Sequence, residues 1–262
     1  MWPEPRRACS AVEARRVLLL PGLACRAGDW DAFADHVGDR FELWDVELPW
    51  HGVEDLAWTR RGDLGRLLAG AVADAGTRFD AIVAHSFSAS LLLEVLAAGM
   101  LRPVPVVLVS PLYRASADDF DWATISHYLN DFHLIFAEAL TLRRGGGRRA
   151  DRAARLLRDR IGPYGWTRFF ELYLRSPLLD LGAVTAPGLV LCGDGDIATR
   201  SADCRRLAAA LPDGEYRQLA RCGHFPMAQR PGPLADAVAA FLDDLAPRRT
   251  AAVTDDVSLE LM

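Results

Sequence analysis

Ala81-Ile82-Val83-Ala84-His85-Ser86-Phe87-Ser88-Ala89-Ser90 is the stretch whose reading decides the fold. A short apolar run, Ala81–Ala84, has strand length, and a helix-forming run from Phe87 to Ala98 follows almost at once. A strand that becomes a helix across a single tight turn holds the turn residue, Ser86, at the apex, which is the layout of a nucleophile elbow. Strand and helix can approach so closely only if the residues two places before and after the serine are small. Ala84 and Ser88 fill those places. A small-x-Ser-x-small pattern also arises by chance, so its weight depends on partners elsewhere in the chain.

A serine hydroxyl is a poor nucleophile at neutral pH and needs a base within reach and a third group to orient that base. Downstream, Arg221-Cys222-Gly223-His224-Phe225-Pro226 places a histidine in a loop between a strand-like run at Glu215–Leu219 and a helix opening near Pro231. Upstream of it, Leu189-Val190-Leu191-Cys192-Gly193-Asp194-Gly195-Asp196 ends a buried strand in a glycine-spaced acidic loop. A carboxylate there sits at the carboxyl edge of a parallel sheet. The order Ser, Asp, His is one of the known triad orders.

Working outward, strands are expected at Val17–Leu20, Phe41–Val46, Ala81–Ala84, Val104–Val109, Leu189–Cys192 and Glu215–Leu219. Helices are expected near Asp29–Val37, Asp63–Ala75, Phe87–Ala98, Ser201–Leu211 and Pro233–Leu245. This alternation predicts an α/β fold, a mostly parallel sheet with helices on both faces. Between Ser110 and Leu189 the alternation breaks. There Ile125, Tyr128, Leu129, Phe132, Ile135, Phe136 and Leu140 recur at helical spacing, with further helices expected at Asp151–Ile161 and Trp166–Leu174. The apolar stripe reads either as packing against the body of the protein or as the lining of an acyl pocket.

These blocks resemble the α/β-hydrolase superfamily from about Val17 to about Leu245. Gly193-x-x-Asp196 is similar to the acid loop after the family's seventh strand, Gly223-His224-Phe225-Pro226 to its histidine loop, and Val17-Leu18-Leu19-Leu20-Pro21-Gly22-Leu23, with Trp30 following, to its first strand and oxyanion loop. The resemblance implies Ser86 as nucleophile, His224 as base, Asp196 as orienting acid, and the backbone N–H groups of Leu23 and Phe87 as the oxyanion hole. It also implies an inserted helical cap: residues 1–111 and 187–246 as two parts of the core and 112–186 as cap. Residues 247–262, outside the resemblance, are polar and acidic and are expected to be a flexible tail. The opening antiparallel strands are expected to be missing or shortened. Pro21, Ala84, Ser88 and Trp50 depart from the usual motif residues, Trp50 interrupting the loop Leu48-Pro49-Trp50-His51-Gly52. None removes a triad member, but the bulk of Trp50 is expected to reshape one pocket wall. A serine at the elbow argues against epoxide hydrolases and haloalkane dehalogenases, which use aspartate.

Asp194, Asp118 and Asp119 compete with Asp196 as the acid, while His36, His51, His85, His127 and His133 read as surface or packing residues. Cys192, Cys222 and His224 fit no recognised zinc spacing. No cofactor, no metal and no glycine-rich phosphate loop is expected. Five scattered cysteines, an odd number, speak against a disulfide framework. The first residues lack the apolar core of a secretory signal, no run has the length of a membrane span, and a cytoplasmic location is the expectation.

All thirty basic residues are arginine, which reads as the codon bias of a GC-rich bacterial genome, and the net charge of −5 gives no reason to expect nucleic acid as a partner. Between Thr141 and Arg160 eight arginines oppose two aspartates. Such a run is either a solvated helix face or a landing site for an anionic acyl carrier, an acyl-carrier protein or coenzyme A phosphates. The expected function is hydrolysis of a carboxylic ester or thioester through an acyl-enzyme on Ser86. One alternative keeps the triad for acyl transfer, cyclisation, carbon–carbon cleavage or elimination in bacterial specialised metabolism, and another is a non-catalytic hydrolase-like binding protein.

Overall fold

The computed structural model describes residues 4–6, 14–50, 56–60, 62–75, 77–144 and 146–259, with the side chains of 4, 143–144 and 246–259 excepted. His51 and Gly52 of the Trp50 loop lie outside the described residues, as does one of the five cysteines, Cys9.

In chain order the elements are β1 (Glu4–Pro5), β2 (Arg15–Leu20), α1 (Asp31–Val37), β3 (Phe41–Asp45), α2 (Leu64–Ala73), β4 (Ala81–His85), α3 (Phe87–Ala97), β5 (Val106–Val109), α4 (Trp122–Arg144), α5 (Arg148–Arg175), β6 (Gly188–Gly193), α6 (Ser201–Ala210), β7 (Gly214–Leu219), α7 (Pro226–Gln229) and α8 (Pro231–Leu259). The strands form one sheet in the order β1-β3-β2-β4-β5-β6-β7. Among the described residues only β1 runs antiparallel, pairing Glu4 with Asp45 at the edge. The other pairings are parallel. In β2, Val17, Leu18, Leu19 and Leu20 are all fully buried. Since neighbouring residues point to opposite faces, both faces of the sheet are covered, which is why these strands read as unbroken apolar runs.

Small departures from the expected boundaries have local causes. β5 begins at Val106 rather than Val104 because Pro105 has no N–H for the ladder, although its carbonyl still accepts from Ile82 at 3.0 Å. The helix expected at Asp29–Val37 divides into a 3₁₀ turn, Ala27–Trp30, and α1. The last helix starts at Pro231 rather than Pro233 and runs to Leu259 rather than Leu245.

The insertion between β5 and β6 is two long helices, α4 and α5, packed on each other. α5 breaks at Gly162, where φ is +68°, immediately before Pro163. Proline disfavours helical backbone in the residue before it, and glycine accepts the left-handed angle, so the helix bends there into the two segments the sequence suggests.

Candidate active site

Ser86 stands between β4 and α3 with φ 52° and ψ −119°. An L-residue rarely adopts that conformation, and the turn is fixed by Ser86 N–H donating to Val109 O at 2.8 Å and Ser90 N–H donating to Ser86 O at 3.0 Å. Ala84 and Ser88 are fully buried, as close strand–helix packing requires. Ser88 does more than stay small: its hydroxyl donates to Pro21 O and accepts from Trp50 Nε1 at 2.8 Å. One side chain thus ties the elbow to the loop after β2 and to the Trp50 loop. Trp50 is wholly buried, edge-on to Phe87 and Trp58, so its bulk is spent on packing beside the elbow.

The acid and histidine loops are joined before either reaches Ser86. Asp194 N–H donates to Leu219 O at 3.0 Å, Gly195 N–H to Cys222 O at 2.8 Å, and Asp194 Oδ1 accepts from Cys222 N–H at 3.0 Å. A Cβ on Gly193 would overlap the carbonyl of Cys222. Gly193→Ala is therefore expected to cost about 2 kcal/mol or more of stability and to lower activity by displacing the histidine loop. Thermal unfolding and kcat check this, and wild-type values for both would show that the two loops do not depend on that contact.

The structure brings three predicted residues into one relay. His224 Nε2 lies 2.9 Å from Ser86 Oγ, and His224 Nδ1 lies 3.0 Å from each carboxylate oxygen of Asp196. A carboxylate can only accept, so Nδ1 carries the proton and Nε2 is left to accept from the serine hydroxyl. The side chains of His224 and Asp196 are almost completely buried, and Ser86 is 5% exposed. Asp196 Oδ1 also accepts from Ala198 and Thr199 N–H at 2.8 and 2.9 Å.

Burial works against both charges. For Asp196, desolvation raises the pKa, yet the His224 charge and hydrogen bond, with Thr199 N–H, hold it below the ordinary carboxylate value. For His224, desolvation favours the neutral ring, but the charge and hydrogen bond of Asp196 and the charge of Glu138 outweigh it and hold the pKa above the ordinary imidazole value.

The loop after β2 lies against the elbow: a Cβ on Gly22 would stand 2.8 Å from His85 Nδ1 and 3.2 Å from Ser86 Cβ. Leu23 N–H comes next, and Phe87 N–H opens α3. Among the described residues neither N–H has a hydrogen-bond acceptor. Both N–H groups thus lie in the segments that flank Ser86, with no acceptor taken.

The competing candidates lie elsewhere. Asp194 is taken up by the Cys222 N–H. Asp118 and Asp119 sit in an exposed 3₁₀ turn, Asp119 paired with Arg206 at 3.5 Å. His36 and His133 bond to carbonyls of their own helices and His127 to Asp131. Cys192 faces Ser201 and Tyr216, away from a histidine whose two nitrogens are already engaged. Cys192, Cys204 and Cys222 are free, and these three and Cys25 are buried.

Two residues belong to the site that the sequence reading left out or understated. His85 Nε2 donates to His224 O at 2.8 Å, and burial, with the neighbouring His224 charge, presses its pKa down to about 3, so it is a neutral donor. Glu138, on α4, accepts from His224 N–H at 3.3 Å and from Gln229 Nε2. A signal for Glu138 was present: it lies three residues after Ile135 on the apolar face of α4, where a carboxylate has no reason to be unless something binds it.

Aromatic rings of the inserted helices cover the elbow. Phe169 stacks on Phe87 with centroids 6.4 Å apart, and Tyr128 and Phe132 pack on Phe169 at 5.8 and 5.1 Å. Outside this layer a groove of about 660 Å³ runs between α4 and α5, lined by Ile125, Leu129, Trp166 and Phe170 but by none of Ser86, Asp196 and His224. No described helix is long and apolar enough to cross a membrane.

A central parallel sheet, a strained serine after the strand β4, and acid and histidine loops after β6 and β7 define a class of α/β proteins rather than a single activity. The model described as the alpha/beta hydrolase family matches residues 17–237, and the chain belongs to that family. Sequence comparison with curated proteins finds no match. Solved structures share the fold at low identity. A membrane phospholipase A described as a bacterial virulence factor is 18% identical with a TM-score of 0.68, covering 90% of this chain and 81% of its own. A putative lipase from Acinetobacter baumannii AYE is 16% identical with a TM-score of 0.63, covering 92% and 87%. The 2-hydroxy-6-oxo-6-phenylhexa-2,4-dienoate hydrolase from Rhodococcus sp. strain RHA1 is 15% identical with a TM-score of 0.59, covering 88% and 91%.

Proposed function

We propose that the protein is a cytoplasmic serine hydrolase that cleaves a carboxylic ester or thioester, with α4 and α5 as a cap over the site. The observation that carries this reading is the continuous relay from Ser86 Oγ through His224 to Asp196, 2.9 and 3.0 Å apart. Ser86 attacks the substrate carbonyl while His224 Nε2 takes its proton. Leu23 and Phe87 N–H groups hold the oxygen as it becomes negative, and Asp196 stabilises the imidazolium. His224 then returns the proton to the leaving alcohol or thiol, leaving an acyl group on Ser86. Water, activated by the same imidazole, releases the acid and restores the hydroxyl. All steps use side chains, backbone N–H groups and water.

The deciding experiment is labelling by a fluorophosphonate probe followed by assays with short- and long-chain nitrophenyl esters. Labelling with turnover supports hydrolysis. Labelling without turnover points to acyl transfer, cyclisation, elimination or carbon–carbon cleavage on the same serine, and absence of labelling to a binding protein.

The exposed arginines of α5 favour a carrier-bound thioester as substrate. Arg148, Arg149, Arg152 and Arg155 are all exposed, Arg155 pairing with Asp151 at 3.3 Å. Replacing these four by glutamine is expected to raise KM several-fold for coenzyme A-linked acyl groups and to flatten its dependence on ionic strength. Small neutral esters should keep their KM, because surface charge steers a charged carrier and leaves the carbonyl chemistry alone. A quadruple variant with wild-type KM and salt response for both substrates would remove the carrier and leave plain esters.

A further inference from the structure

The main chain of His224 is held from two sides. From the core, His85 Nε2 donates to its carbonyl at 2.8 Å. From α4, Glu138 Oε1 accepts its N–H at 3.3 Å and also accepts from Gln229 Nε2, while Gln229 Oε1 accepts Gly223 N–H at 2.7 Å. The contact is close enough that a side chain on Gly223 would collide with Glu138. Even a half-buried carboxylate is costly unless hydrogen-bonded, and these bonds all lead into the histidine loop. An apolar residue at this point of the stripe would pack the helix without that cost.

We propose that Glu138 is a positioning residue for His224: a carboxylate carried on α4 that completes the histidine's seat, so that the inserted helices and the base are set as one unit. The inference rests on the reading of His224 as the general base, and its experiment also has a readout that does not need turnover.

The groups around the pair fix what pH should do. His224 is faced by Asp196 and Glu138 and by the ring of His85, 5.0 Å away between centroids. Glu138 is faced by His224 and Asp196, and Cys222 lies beside it with Asp194 and Arg230 beyond. His85 is neutral above a pKa of about 3, burial pushes Cys222 up to about 12, and Asp196 is held low. Burial raises Glu138 above the ordinary carboxylate value, and His224 also stands above its own, so these two groups govern the acid side. A negative charge near an imidazole favours the imidazolium, and removing it lowers the imidazole pKa.

Glu138→Gln keeps the size and the carbonyl acceptor but removes the charge. The His224 imidazole, followed by NMR with histidine-labelled protein and assigned with His224→Asn, is expected to titrate about half a pH unit lower. The acid limb of kcat/KM should move down with it, extending activity to lower pH. Glu138→Ala also removes the acceptor and is expected to lower kcat about tenfold with little change in KM, a loss that Glu138→Gln largely rescues. If Glu138→Ala fails to fold, the titration of Glu138→Gln decides alone. An unchanged His224 titration in folded Glu138→Gln would overturn the proposal, since a residue that merely packs the helix would shift melting temperature and leave the imidazole alone. A wild-type protein without probe labelling or turnover would defeat the hydrolase reading, and the titration would still decide the role of Glu138.

Discussion

Ser86→Ala is expected to lower kcat/KM by on the order of 10⁴–10⁶ while the protein stays folded. The size of the loss follows from what the hydroxyl does. It is the atom 2.9 Å from His224 Nε2, and without it no covalent intermediate can form. The fold should not register the change, because the elbow is fixed by backbone hydrogen bonds to Val109 and Ser90 rather than by the hydroxyl. Alanine at φ 52° bears the same steric strain as serine, so the native turn gains no new cost. On the proposed function, what remains would come from the Leu23 and Phe87 N–H groups, which would polarise a carbonyl whether or not a nucleophile stands beside it. Circular dichroism, melting temperature and kcat/KM on an ester turned over by the wild type check the prediction. A variant retaining more than a tenth of the activity would take the nucleophile's role away from Ser86.

The parts legible in the sequence were those with a one-dimensional physical signature. Strands such as Val17–Leu20 and Ala81–Ala84 are buried on both faces, so burial alone makes them apolar runs, and their ends in the structure fall within two residues of the expected ones. The three relay residues lie in loops at strand ends, where glycine, proline and small residues mark the turn that presents each side chain. Gly193 is such a mark: it is read from spacing, and its cause is the carbonyl of Cys222 lying against it.

What the sequence concealed depends on pairings between distant segments. Ser88 reads as a small residue required by the elbow, but its hydrogen bonds to Pro21 and Trp50 join three loops, and no local pattern encodes them. Glu138 and His224 are 86 residues apart. The apolar stripe of α4 shows that the helix covers something, and the carboxylate within it shows that one point of the covered surface is polar. Neither says that the point is the backbone of the histidine. The opening antiparallel region was expected to be missing or shortened, but the place of β1 could not be read, because two residues, Glu4–Pro5, have no periodicity and the pairing with β3 is an edge interaction supplied by the partner strand.

Asp196→Asn is expected to cut kcat/KM by on the order of 10³–10⁴, and Asp194→Asn by only a few-fold, because the two carboxylates meet different groups. Asp196 accepts the Nδ1 proton of His224. An asparagine amide can turn its NH₂ toward Nδ1, which moves the ring proton to Nε2 and leaves nothing to accept from Ser86. Asn Oδ1 still suits the Ala198 and Thr199 N–H groups that Asp196 now holds, so the loop should keep its shape. At Asp194 the bond is to Cys222 N–H, which an asparagine carbonyl accepts equally well. The pH dependence separates the two further. In the wild type kcat/KM should fall on the acid side through a histidine pKa above the ordinary value, because the imidazolium, favoured by Asp196, is the inactive form. Without the Asp196 charge, burial dominates and the residual activity of Asp196→Asn should persist to lower pH, whereas Asp194→Asn should follow the wild-type profile. The reverse ranking of rates would transfer the orienting role to Asp194. Equal small losses would send it to Asp118 or Asp119, which could serve only if their exposed turn moved to reach a histidine now held by Asp196.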